Sequence, residues 1–367
     1  IVFGDWSSDV CSSDLWQPFG DKRNITPSGI TLKFPAGRFA VGDLVRVHDH
    51  NNVVFLGEGP NQTTLFSPRG VPSLNLEFLG VPDGLVADLH LAGNALAEGF
   101  GLAFRNPRLP FTSPISQTQI NDPWGGYWGS GGIAFVTSDR ARVRDTFLED
   151  LLAPVVMIHS TAQDCWLERV RVIRHAPKLD EPLPLLFWTA QASGGGAVDL
   201  EIDVPKLAQG IGVWNGSGEK VFNRVHSRNA TFELVNAGNI VLRDSVFQLD
   251  EGAHEGMDGL YPMGWAILRI DGPNVAIENV AIEQLGYLNS RGDLLPGISG
   301  HGNSQNLHVI GGHYSAPPFL PGARSRPAAL GAEAPGALVE GFRPSGNAGA
   351  WNGYLADGII PNSCVDP

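Results

Sequence analysis

The sequence predicts an all-β fold, a single-stranded right-handed parallel β-helix with loop insertions, and three observations carry that expectation. A six-residue pattern recurs at intervals of about one solenoid coil. A five-residue strand pattern sits upstream of it in coil after coil. Composition agrees: glycine (46) and proline (27) make up a fifth of the 367 residues, and only 17% are charged. An average domain carries roughly 25% charge, so long-helix and coiled-coil architectures are disfavoured. No apolar run approaches the 18 or more residues of a membrane span, and membrane is excluded as a partner.

In chain order, residues 1–15 (IVFGDWSSDVCSSDL) share nothing with the patterning that follows and repeat Ser-Ser-Asp. They resemble a translated sequencing-adapter fragment and are expected to be a non-native leader. On that reading the native N-terminus is missing, and a missing signal peptide says nothing about secretion. Residues 16–316 are assigned to the β-helix, interrupted at 102–130 by Pro/Trp/Gly-rich sequence. Residues 317–367, rich in Pro, Ala and Gly, are expected to be a strandless tail or cap that covers an open sheet edge.

The six-residue pattern runs apolar, any, turn residue, apolar or small, any, apolar. Its turn column reads Asp88, Asp145, Arg169, Asp199, Arg224, Asp244, Asn279 and Gly311, advancing from Asp145 by 24, 30, 25, 20, 35 and 32 residues. The strand pattern alternates at period two and reads 101–105, 132–136, 154–158, 184–188, 210–214, 231–235, 265–269 and 297–301. Each coil then holds three short strands that pair only with the coils above and below, about 4.8 Å away.

Phe34-Pro-Ala-Gly-Arg-Phe-Ala-Val41, then Asn52-Val-Val-Phe-Leu-Gly-Glu-Gly59 and Thr63-Thr-Leu65, resemble the opening segment of the pectate-lyase-like superfamily. The resemblance implies a carbohydrate-handling β-helix, secreted to the extracellular space or periplasm and acting on a polysaccharide. Gly300-His301-Gly302 is similar to the Gly-His-Gly of the polygalacturonase family. The paired aspartates of that family have no counterpart at the starts of the first strands, so its chemistry is not carried over.

With Ile133 and Phe135 inward, the outward columns of the first strand should carry Trp188 and Trp214 one coil apart, then Glu233, Arg269 and His301 on successive coils. Two outward indoles form a flat face of the kind that stacks on sugar rings; with Arg105 they are the expected substrate-binding residues. Glu233, Arg269 and His301 are expected to be catalytic, roofed by a loop that brings Asp250, Glu251, Asp258 and Tyr261. A lyase would take its base and its cation from His301, Tyr261 and Arg269. A hydrolase would pair Glu233 with Asp250, Glu251 or Asp258, about 5–5.5 Å apart for retention or roughly 6.5–9.5 Å for inversion. No metal site and no cofactor follow from the residues with certainty; a calcium ion on the acidic loop is the one candidate, and its spacing departs from the calcium-loop consensus.

On the third strand, Arg171, Glu201, Asp203, His226 and Arg228 alternate in sign and read as a solvated ion-pair ladder. The net charge of −13 repels nucleic acid. Cys11, Cys165 and Cys364 are too scattered for a disulfide framework or a zinc site. A polysaccharide-degrading enzyme, lyase or hydrolase, is the leading expectation; a non-catalytic glycan-binding or phage-tail-like module is its alternative.

Overall fold

The computed structural model describes residues 29–41, 44–48, 50–66, 75–93, 132–136, 138–151, 155–158, 163–175, 184–189, 193–215, 218–255, 266–300, 303–317, 328–332, 337–345, 349–351 and 360–361. Three parallel sheets wind around one core as a right-handed parallel β-helix. The first sheet runs from Leu44–His48 through Asn75–Leu79, Gly132–Val136, Val155–Ile158 and Leu186–Thr189 to Leu268–Ile270 and Ile298–Gly300. The second begins at Ile30–Lys33 and the third at Gly37–Ala40. Every pairing is parallel and joins a strand to its equivalent one coil on; Ile240–Arg243, for example, pairs with Val275–Glu278, and that strand with Leu307–Ile310. No helix among the described residues is long and apolar enough to cross a membrane.

The turn column forms as expected. All eight residues from Asp88 to Gly311 adopt left-handed φ between 49° and 64°. This region costs a side chain roughly 1–2 kcal/mol, and Asp, Asn and Gly tolerate it best. The arginines in the column are held by the coil below: Arg169 forks onto Asp145 at 2.6 and 2.9 Å, and Arg224 onto Asp199 at 2.5 and 2.8 Å. These hydrogen bonds hold the Asp145 and Asp199 carboxyls below the usual carboxylate value near 3.8, and Arg140 does the same to Asp83.

The pairs therefore contribute stability above about pH 4 that is lost as pH falls through the lowered native values. An Asp199→Asn variant should be less stable than wild type at pH 5, and the deficit should shrink at pH 3 in urea unfolding. A constant deficit would mean that the carboxylate charge contributes nothing. A second corner column was not anticipated: Asn239, Asn274 and Asn306 share left-handed φ and stack amide on amide, 3.0 Å at each step.

Inside, aromatic rings stack along the axis. Phe34, Phe55, Phe78 and Phe135 follow one another at 5.9, 5.3 and 4.9 Å. Trp188, Phe222, Phe232 and Phe247 continue at 5.2, 5.1 and 6.3 Å.

Asn75–Leu79 pairs directly with Gly132–Val136; the strand expected at 101–105, with Arg105, lies outside the described residues. Residues 317–367 are not strandless: Ala328–Ala332, Leu338–Glu340 and Arg343–Ser345 add a further coil in register with the one before. Ala329, Leu330, Ala337, Val339 and Phe342 are buried there and continue the core, and the Pro/Ala/Gly-rich composition hid their strand period. Residues 1–15 also lie outside the described residues.

Candidate functional site

Trp188 pairs with Val213 in register, and both side chains point into the core. Trp188 is 1% exposed and packs edge-on against Phe222, so it cannot stack on a bound sugar. The expected alternation was off by one residue because Leu185, Leu186, Phe187 and Trp188 are all apolar, and a one-residue slip turns every side chain to the opposite face. Phe187 takes the outward place instead and meets Trp214 edge-on at 4.9 Å. The pair is covered: Trp214 is 4% exposed. The chain at Pro184 also crosses this face, so closely that a Cβ on Gly212 would lie 2.2 Å from the proline Cγ. The two indoles thus form no open aromatic platform.

Glu233 does point outward, as expected, on the same side of the first sheet. Its neighbour in the next coil is Arg269, in direct register; the arginine stands two strand positions earlier than the alternation placed it, which had set it opposite Val235. Arg269 donates from Nη1 to Glu233 Oε1 at 2.5 Å, and the Gln209 amide donates to Oε2. Trp214 lies beside the same carboxyl. Glu233 is 1% exposed while the Arg269 side chain is 19% exposed. Burial pushes the Glu233 carboxyl above its ordinary value, although Arg269, Gln209 and Trp214 pull it back. Where a carboxyl shift is resolved elsewhere among the described residues, an arginine lowers it. Perturbed acids of this kind concentrate at functional sites, and they also occur in structural ion pairs.

The loop acids divide. Asp250 accepts from Arg228 Nε at 2.8 Å and from Asn229 Nδ2 at 3.0 Å. It therefore belongs to the third sheet and not to the roof expected over Glu233. Glu251 is exposed and stands against Gly286. Asp258, Tyr261 and His301 lie outside the described residues. Among the described residues, no group of three or more His, Cys, Asp or Glu is placed to hold a metal ion.

The ladder on the third sheet is present, with Arg171 to Glu201 at 3.1 Å and Arg228 to Asp203 at 3.6 Å. It borders a feature that the alternation of charge did not reveal. Glu201, Ile202, Asp203, His226, Arg228, Gln248, Asp250 and Leu285 line a concavity of about 350 Å³. Leu285 comes from the chain just past the strand Ala281–Gln284, and no strand periodicity marks it.

No family model and no curated protein matches the chain. Solved structures do. The Agl-KA catalytic domain is similar over 90% of this chain and 61% of its own, with a TM-score of 0.50 and 13% identity. ORF18 of Geobacillus virus E2 is similar over 88% and 55%, with a TM-score of 0.48 and 11% identity. The catalytic unit of a GH87 alpha-1,3-glucanase from Streptomyces thermodiastaticus covers 97% and 66%, with a TM-score of 0.46 and 12% identity. The chain spans between 55% and 66% of those chains' lengths. What is shared is the fold, a parallel β-helix.

Proposed function

We propose that this protein is a secreted β-helix enzyme that hydrolyses a polysaccharide, with Glu233 as the proton donor to the glycosidic oxygen. The observation that carries this reading is the Glu233 carboxyl, which burial raises above its ordinary value on the outward side of the first sheet. A carboxyl that holds its proton longer than usual is suited to general acid work. As the C–O bond breaks, Glu233 gives its proton to the departing oxygen. Water then adds at the anomeric carbon, and its proton passes to a carboxylate. Asp258 is the proposed second carboxylate, with Tyr261 and His301 as neighbours of the reacting sugar.

Lyase chemistry is less well supported. It needs an ionised base together with a cation free to neutralise a uronate carboxyl, and Arg269 is engaged with Glu233. The non-catalytic alternative differs in a measurable way.

A panel of neutral and uronic-acid polysaccharides separates the readings. Reducing ends without absorbance of an unsaturated product are expected. Unsaturated product would replace hydrolysis by elimination, and binding without either product would favour the glycan-binding module.

A further inference from the structure

We infer that the concavity on the third sheet is a second saccharide-binding site, one that takes two or three rings of an uncharged glycan and lies apart from the Glu233 side of the solenoid. The inference rests on the reading that this protein handles glycans, and it adds a site which that reading does not need. The first argument is shape. Outward side chains on a regular sheet leave a flat surface, yet here they border a half-open concavity of about 350 Å³, at the lower end of the range of small-ligand sites. The lining residues come from four adjacent coils, with Glu201 and His226 in direct register, as are Asp203, Arg228 and Gln248, and with Leu285 from the coil that follows. Three steps of about 4.8 Å span roughly 14 Å, enough for about three sugar rings.

The second argument is chemical. Sugar rings present hydroxyls at their edge and C–H groups on their faces, so a site for them needs fixed planar polar groups beside an apolar one. Arg228 is clamped between Asp203 and Asp250, and the Asn229 amide fixes Asp250 from the other side. These groups are pre-positioned on sheet strands and do not have to be ordered by a ligand. His226 and Gln248 line the same space, and neither is tied to another side chain among the described residues.

The apolar group is Leu285. It is 58% exposed, one of two large exposed hydrophobic residues among the described residues, and it stands at the rim. A plain solvated ladder accounts for the arginine–carboxylate pairs, but it accounts for neither the concavity nor the exposed leucine beside it.

Charge selects the class of sugar. Glu201 pairs with Arg171, while Asp203 and Asp250 share Arg228, so three carboxylates meet two guanidiniums here, and the chain as a whole carries −13. A polyuronate would be repelled by this surface, whereas a neutral glycan would not.

The test compares wild type with a His226→Ala, Leu285→Ala double variant by affinity electrophoresis in gels containing a soluble neutral β-glucan, a neutral α-glucan, galactomannan or polygalacturonate. Both positions are exposed, so the melting temperature should stay within about 2 °C of wild type. The expected result is retardation of wild type by at least one neutral polymer and by polygalacturonate least of all. The double variant should bind that neutral polymer at least tenfold more weakly. An independent Gln248→Ala variant should shift the same way.

Undiminished binding by the variants overturns the site, and so does a wild type that no neutral polymer retards. Preference for polygalacturonate overturns the class of sugar. Loss of all hydrolysis in the double variant would make the concavity the catalytic centre and overturn the second-site assignment. Failure of the Glu233 reading is scored separately: a Glu233→Gln protein that still hydrolyses polymer disproves that reading and leaves the concavity untouched.

Discussion

Replacing Arg269 by Gln is expected to lower the folding free energy by about 3–5 kcal/mol at neutral pH, because it leaves the buried Glu233 carboxylate without its counter-charge. The pair is in contact at 2.5 Å, and Glu233 is 1% exposed. Removing both charges should be far milder, since a buried ion pair replaced by neutral groups of similar volume is often close to neutral in stability. Glu233→Gln with Arg269→Gln should therefore recover most of the loss in urea unfolding, while hydrolysis stays absent. The two readouts separate structure from chemistry. If the double variant recovers both stability and turnover, Glu233 is a structural partner of Arg269 and the proton-donor assignment fails. The sign of the pH dependence is also distinctive. A carboxyl whose native pKa is raised costs stability as pH climbs above its ordinary value, opposite to the ladder aspartates.

Lys220 supplies the second large effect. Its side chain is fully buried and points inward in register with Ile240, Val275 and Leu307. Burial pushes the ammonium down to about 8 from 10.5. Between these values the unfolded chain binds more protons than the native one, so this group makes stability rise with pH across that window. At neutral pH the penalty is on the order of 3 kcal/mol.

Lys220→Met keeps the stem and drops the charge. It is expected to be more stable than wild type at pH 7, by up to about 3 kcal/mol, with the advantage fading towards pH 10. The difference between the two proteins is the quantity to follow, because the Cys165 thiol, pushed up to about 12 by burial, removes stability from both above pH 9. A variant less stable than wild type at pH 7 would show that contacts of the amine outweigh its desolvation.

The β-helix, its coil boundaries and the Asp145-to-Gly311 turn column were legible because each rests on local chemistry. Alternating apolar residues specify a strand, and a left-handed corner selects Asp, Asn or Gly, or an Arg with an aspartate one coil below. The outward position of Glu233 followed from the same rule, since Thr231, Phe232, Glu233 and Leu234 alternate cleanly. Trp188 did not follow, because an apolar run offers no polar residue to mark its outward face; pairing with Val213 decided it. Trp214 is covered by Phe187, and the Glu233 carboxyl is enclosed by Gln209, Trp214 and Arg269, contacts between segments about 20 to 40 residues apart. The concavity needed Leu285, Asp250 and Glu201 brought together from separate coils. Strand period and turn chemistry are properties of neighbouring residues, whereas burial, access and the acidity of a carboxyl depend on what packs over them, and only the tertiary structure decides that.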